Sequence, residues 1–220
     1  MAFAEALADA GVDVRGGTPA AADFSTLSSH YTARSRLAEH VSPPVAEQVK
    51  VMLKTSSNVH TAMWEYVDGA IAGRDSTNPA VAYDELQASL FQAAGLDASP
   101  SGYTPAFFAA FLAYLTRRAY FATYRDALPI MGKDGDLAGV QAGSSAAGHV
   151  YAKTGTGLGG TASSPMLDKA LAGFIQPPNG PWIVFAQFMD MSVTSADFNT
   201  VASPVTEAMG QIVTAVYESS

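Results

Sequence analysis

The sequence predicts an α+β architecture in which helices come first and an antiparallel sheet, covered by a last helix, comes second. Three observations lead there. Residues 42–147 are dominated by segments with helical apolar spacing and by cap-plus-proline helix starts. After Gly148 the pattern changes to β-rich runs, "HVYAKTGT", "ALAGFIQ" and "WIVFAQFMDMSV". The last two are joined by "PPNGP", whose Asn-Gly pair marks the turn of a hairpin.

Taken in order, Ala2–Ala10 predicts a short helix stopped by Gly11, and Val12–Val14 the start of a strand. "TPAAADFSTLSS" is loop, and the imperfect alternation over Arg34–Val41 suggests a weak strand. Ser42 is placed to cap a helix, Pro43 or Pro44 suits its first turn, and Val45, Val49, Met52 and Leu53 form one apolar face ending near Lys54. "TSSN" breaks that helix, and a second follows from about Val59 to Ile71. Helical signals continue through Tyr83–Ala94. Thr104-Pro105 opens another helix through "AFFAAFLAYLTRRA", apolar nearly all round, which predicts burial. Phe107, Phe108, Phe111 and Tyr114 on it are expected in the core. "LPIMGKDGDLAGV" is turn-like. Ser203-Pro204 opens a C-terminal helix whose stripe is Met209, Ile212, Val213 and Val216. With no internal repeat and no linker, residues 1–220 predict one domain, with a mainly helical part at 42–147 and a sheet part at 148–220.

Composition narrows the function. The chain is 48% hydrophobic and 15% charged, against roughly 25% charged in an average soluble domain, so part of its surface is expected against something else. Net charge is −8 with no basic block, which argues against nucleic acid, since phosphate binding needs clustered Lys and Arg. The absence of cysteine excludes disulfides, thiolate metal sites and a Cys nucleophile. No apolar run reaches the ~18–20 residues of a membrane-spanning helix. The N-terminus lacks the basic-then-apolar order of a signal peptide. His30, His40 and His149 are scattered without metal spacing, and Asp134 with Asp136 makes too few ligands for a cation, so neither metal nor cofactor is expected. His60 invites a dyad with Ser56 but has no orienting acid at a suitable spacing.

The stretch "YAKTGTGLGG", Tyr151–Gly160, carries two motifs. Gly155, Gly157 and Gly160 fit G-x-G-x-x-G, the pyrophosphate-cradling loop. That motif requires a helix opening on the glycines. Here Pro165 and further strand signals follow, and the strands form an antiparallel hairpin where a parallel unit is needed. "GSSAAGH" has P-loop glycine spacing but His149 at the lysine position. Lys153-Thr154-Gly155 spells K-T-G, which on a strand edge presents an ammonium and hydroxyls to a carboxylate. Its companion would be an S-x-N triplet on a turn between helices. Ser56-Ser57-Asn58 lies at such a junction.

The flanks extend the match. "SRLAEHVSPPVAEQVKVMLKTSSNVHTAM" resembles the segment around the S-x-N triplet of penicillin-binding serine D-alanyl-D-alanine carboxypeptidases that also act as endopeptidases, the class C low-molecular-mass type. "LPIMGKDGDL" is similar to that family's Leu-Pro…Gly-x-Asp-Gly-Thr-Leu stretch, "GHVYAKTGT" to its K-T-G strand, and "FAEALADAGVDVRG" to its re-entry into the catalytic domain after inserted domains. The resemblance implies a partial serine β-lactamase/DD-peptidase fold and activity on peptidoglycan stem peptides, with β-lactams as ligands and a location in the periplasm or cell wall. It implies that Lys153, Thr154 and Thr156 hold the ligand's terminal carboxylate, with Gly155 between them. By the same resemblance the Thr156 N–H serves as an oxyanion donor, Ser56 relays a proton with Lys54 or Lys153 tuning it, and Asn58 orients the substrate amide.

Departures are Ser57 for the usual Asp, Asp136 for the family's Thr, "DASPSGYTP" for an Asp-Gly-Ser-Gly stretch, and the glycine-rich run after K-T-G. The family's nucleophile, a Ser in S-x-x-K, has no counterpart. Three residues before Lys50, Lys54, Lys133, Lys153 and Lys169 stand Glu47, Val51, Ile130, Val150 and Met166. The expectation is therefore the C-terminal part of such a catalytic domain, inert by itself, with the nucleophile supplied by an N-terminal segment or a partner chain. The alternative is a remnant or pseudo-enzyme that binds peptidoglycan peptides or a protein partner. An esterase or β-lactamase on the same fold would face the same absence.

Overall fold

The computed structural model describes residues 2–13, 41–72, 79–97, 103–161, 163–194 and 196–220. The chain forms two compact units, Met1–Ser42 and Pro43–Ser220. In the first, α1 (Ala2–Asp9) ends as expected at Gly11, whose φ is +78°. The Val12 N–H bonds Leu7 O at 2.8 Å and the Gly11 N–H bonds Ala8 O at 2.9 Å, a Schellman closure that only a left-handed residue permits. Val12 and Asp13 continue as irregular chain. Val14, and the expected strand from Arg34 to His40, lie outside the described residues.

The second unit begins with α2 (Val45–Lys54), α3 (Asn58–Ala72), α4 (Pro79–Ala93), α5 (Pro105–Leu115) and α6 (Phe121–Ala127), then a 3-10 turn at Gly135–Leu137. The hairpin-linked strands β1 (Val150–Thr161), β2 (Ser164–Ile175) and β3 (Ile183–Ser192) follow, and α7 (Phe198–Glu218) closes the unit. The sheet order is β1-β2-β3, antiparallel throughout. Helices precede the sheet and a last helix covers it, as the residue pattern predicts.

Several boundaries differ from expectation: α4 starts at Pro79 instead of Tyr83 and β2 at Ser164 instead of Ala170, and four others have a local reason. Pro44, not Ser42, occupies the cap position of α2. The helix opened by Thr104, whose Oγ1 accepts the Phe107 N–H at 3.1 Å, stops at Leu115 instead of running to Ala119. There the Arg117 and Arg118 N–H groups turn to Tyr114 and Leu115 carbonyls, and α6 starts as a separate element. α7 starts at Phe198, upstream of Ser203-Pro204, so Pro204 sits inside it. Thr194 sets this earlier start: its Oγ1 accepts the Asp197 N–H at 3.2 Å and its carbonyl accepts the Phe198 N–H at 3.2 Å. Finally, β1 continues through its glycines to pair Thr161 with Ser164. Gly160 has φ +77°, and a Cβ there would lie 2.2 Å from Ser164 O, so the hairpin end requires glycine.

The sheet buries both faces with a period of two. On one face Val150, Ala152, Leu171 and Ile175 meet Met209, Val213 and Tyr217 of α7, with Met131, Leu137 and Ala146 from the preceding loop. On the other, Phe174 meets Leu112 and Leu115 of α5 and Leu128, ringed by Phe121, Tyr124 and Trp182. The aromatic run of α5 packs: Phe107 and Phe111 stand edge-on to the buried Phe91 of α4 at 4.8 and 5.1 Å, and Phe108 meets Phe188 of β3 at 5.5 Å. These α5 rings are half-buried, while Leu112 and Leu115 are fully in the core. Phe174 has no exposed surface and two rings edge-on to it, Phe121 and Tyr124. Phe174→Ala is expected to cost about 3–5 kcal/mol of unfolding free energy in a denaturant titration. Leu158→Ala, at a position 59% exposed, should change it by less than about 0.5 kcal/mol.

Candidate active-site groove

The S-x-N turn is built by the ends of two helices. The Thr55 N–H and Oγ1 both return to Val51 O, and the Ser57 N–H reaches back to Met52 O at 3.0 Å. This tight exit throws Ser56 into the left-handed region at φ +53°, a conformation that costs a non-glycine residue about 1–3 kcal/mol and clusters at functional sites. Ser57 opens α3: its Oγ lies 3.4 Å from the His60 N–H and 2.7 Å from His60 Nδ1, and its carbonyl accepts the Thr61 N–H. His60 thus partners Ser57, and the considered Ser56–His60 dyad is not formed. Because Ser57 does the capping, the Ser56 and Asn58 side chains are left for the groove.

Lys54 fixes this turn to the rest of the site. Its Nζ donates to Leu128 O and to both Asp134 oxygens, each at 2.7 Å. Asp134 Oδ1 also accepts the Ile130 N–H at 2.8 Å. The same loop is stitched to β1 by Met131 N–H to Val150 O and Ala152 N–H to Pro129 O. A short path of hydrogen bonds therefore joins the S-x-N turn to the K-T-G strand.

Between them lies a groove of about 450 Å³. Ser56 and Asn58 form one wall. Thr154 and Thr156 of β1, with Lys169 of β2, form the floor. Asp136 and Val140, with Ala202, Ser203 and Thr206 of α7, complete the lining. Residues roughly a hundred positions apart in the chain thus share one surface. A larger cleft, about 730 Å³, follows α4 from Glu85 to Asp97, but none of the groove's residues lines it.

The strand register explains the floor. Thr154 pairs with Leu171 and Thr156 with Lys169, so these side chains fall on the α7 face of the sheet. Gly155 falls on the opposite face against Ala170 and does not line the groove. Lys153 starts from that opposite face, yet its Nζ bonds Asp136 Oδ2 at 3.0 Å, Thr154 O at 3.0 Å and Thr154 Oγ1 at 3.2 Å. It curls round the β1 edge to reach two residues that line the groove.

Two groove residues escaped the motifs. Lys169 is only 6% exposed and donates to Thr156 Oγ1 at 2.6 Å. Burial pushes its ammonium below the usual lysine range. The charge of Lys153 adds to that shift, and Asp136 opposes it. A signal was present: Leu167, Lys169 and Leu171 occupy one face of β2, so the alternation puts a lysine at a core-facing position. Asp136, read from the sequence as a departure and as half of an insufficient cation pair, is the carboxylate that engages Lys153. Among the described residues no group of three or more His, Cys, Asp or Glu could hold a metal ion.

The family model for D-Ala-D-Ala carboxypeptidase 3 (S13) matches residues 1–212. Among solved structures, the crystal structure of penicillin binding protein 4 from Haemophilus influenzae is similar, with a TM-score of 0.54 and 20% sequence identity. The match covers 81% of this chain and 41% of that one, so this chain spans less than half its length. No curated protein matches significantly.

Lys54 carries the connection between the two motifs, so its removal has a defined expected effect. Lys54→Met leaves Asp134 and Leu128 O without their cationic donor, and should lower stability by about 1.5–3 kcal/mol. Amide hydrogen exchange over residues 54–58 should accelerate more than exchange in β2.

Proposed function

This chain belongs to the D-Ala-D-Ala carboxypeptidase 3 (S13) family, and from that premise we propose that the groove is the carboxylate-binding half of a serine DD-peptidase active site. The carrying observation is that Ser56, Asn58, Thr154 and Thr156, far apart in the chain, line one groove. In this reading the ligand is a D-alanyl-D-alanine-terminated peptidoglycan stem peptide, or a β-lactam, met in the periplasm or cell wall. The strand-edge hydroxyls of Thr154 and Thr156 receive its terminal carboxylate. Asn58 orients the penultimate amide, and the Thr156 N–H is one oxyanion donor, a role worth about 10²–10³ in rate. Ser56 passes the serine nucleophile's proton to the departing D-alanine amine as the acyl-enzyme forms. Residues 1–220 together then constitute one incomplete catalytic domain.

The acyl-enzyme step needs an S-x-x-K serine, which no lysine in this chain provides. In our reading another segment or a partner chain brings it to the open side of the groove. Removing such a nucleophile lowers turnover about 10⁶-fold, so the chain by itself binds and does not hydrolyse. A second reading is a purely binding role toward peptidoglycan peptides or a protein. One observation favours it: β1 is the sheet's edge strand, and beyond the isolated bridge of Tyr151 to Ile130 its outer side has no strand partner among the described residues.

A fluorescent β-lactam and a D-alanyl-D-alanine peptide test the proposal together. The chain alone should bind the peptide saturably, release no D-alanine and take up no covalent label. Label on the chain would overturn the nucleophile argument, and absence of saturable binding would overturn the groove as a peptide site.

A further inference from the structure

We propose that Lys169, rather than Lys153, is the cation that meets the carboxylate of a ligand in this groove. The proposal deepens the DD-peptidase reading above and rests on it for the identity of the ligand. An ammonium has three N–H donors and no acceptor. All three of Lys153 are engaged within the protein, on Asp136 Oδ2, Thr154 O and Thr154 Oγ1. Its charge faces the Asp136 carboxylate at 3.0 Å, an anion already in the position of a ligand's. A ligand carboxylate arriving at Lys153 must displace that internal one and meets its repulsion.

Lys169 is in the opposite condition. It is more than nine-tenths buried, it lines the groove, and among the described residues its Nζ has one hydrogen bond, to Thr156 Oγ1. No carboxylate stands at ion-pair distance from it among the described residues. Two N–H donors remain. A buried ammonium held without a counter-ion is costly unless something supplies the anion. By accepting from Lys169, the Thr156 hydroxyl also keeps its own proton free to donate, so the pair offers donors side by side to one carboxylate.

The charged groups around Lys169 fix the sign of the pH dependence. Lys153 comes from β1 and Asp136 from the 3-10 turn. The facing residues of α7 are Ala202, Ser203 and Thr206, and the β3 partner is Met189. None of these titrates. Asp168 and Asp190 pair on the other face of the sheet. Burial and Lys153 lower the Lys169 pKa from 10.5 in the empty groove, and a bound carboxylate raises it again. Affinity for a carboxylate is therefore full below the lowered pKa and falls as pH rises through it.

The test uses the full chain with three probes: N-acetyl-D-alanyl-D-alanine, its C-terminal amide, and acetate. Affinities come from calorimetry, and the lysine ε-carbon shifts from NMR across pH. The acid should bind about tenfold or more tighter than the amide. Lys169→Met should erase that preference and Lys169→Arg should restore most of it, which separates lost charge from lost fold. Acetate should move the Lys169 ε-carbon and raise its pKa. Acetate doing so while the dipeptide does not bind would leave the anion assignment standing and remove the peptide reading. Dipeptide binding with equal affinity for acid and amide would do the reverse. The assignment is overturned if Lys169→Met keeps the preference, if Lys153→Met alone abolishes it, or if neither carboxylate probe shifts Lys169.

Discussion

The three hydrogen bonds of the Lys54 ammonium are the contact on which the groove depends. A helix C-terminus, a loop carbonyl and a carboxylate that itself holds a loop amide converge on one charge that is largely shielded from solvent. In that setting the interaction is stronger than at a surface, and leaving any partner unmatched is expensive. Its value is geometric. The S-x-N turn and the K-T-G strand have no direct reason to stay in register with each other. The loop from Leu128 to Asp134 bonds Lys54 on one side and the start of β1 on the other, so a shift in either motif would strain both sets of bonds. The second anchor is the core on each side of β2, which holds the strand that carries Lys169 between two layers of buried apolar side chains.

Much of this arrangement was legible in the residue pattern, and the parts that were not have physical causes. The strands announced themselves through β-rich runs and the Asn-Gly turn, and the two polar triplets stood at a helix junction and a strand, as their chemistry requires. Helix ends were harder. The apolar run of α5 hides its stop at Leu115, because burial needs nothing different from the residues on either side of a break. The start of α7 depends on Thr194 and Asp197, whose side-chain and backbone bonds outcompete the Ser203-Pro204 signal. Within the site, Gly155 belongs to the motif but faces away from the groove. Lys169 belongs to no motif and lies at the floor. Motif spelling records order along the chain, whereas which face a strand residue takes depends on pairing register, here Thr156 opposite Lys169.

The groove's charge is a small set of unequal terms. Two lysines share it, one compensated internally by Asp136 and one not. Asp136 places an anion beside the strand-edge lysine. That pairing offsets the charge of Lys153 and leaves the uncompensated charge on the buried Lys169, where water screens it least.

The left-handed backbone at Ser56 restricts which side chains that position can accept. Threonine offers the same hydroxyl and is usually regarded as serine's nearest substitute, yet a β-branched residue at φ +53° is a steric outlier. Glycine and asparagine tolerate the dihedral but carry no alcohol. Backbone shape and side-chain hydroxyl are therefore tied together at one codon, and drift there leads toward loss of the hydroxyl instead of an equivalent one.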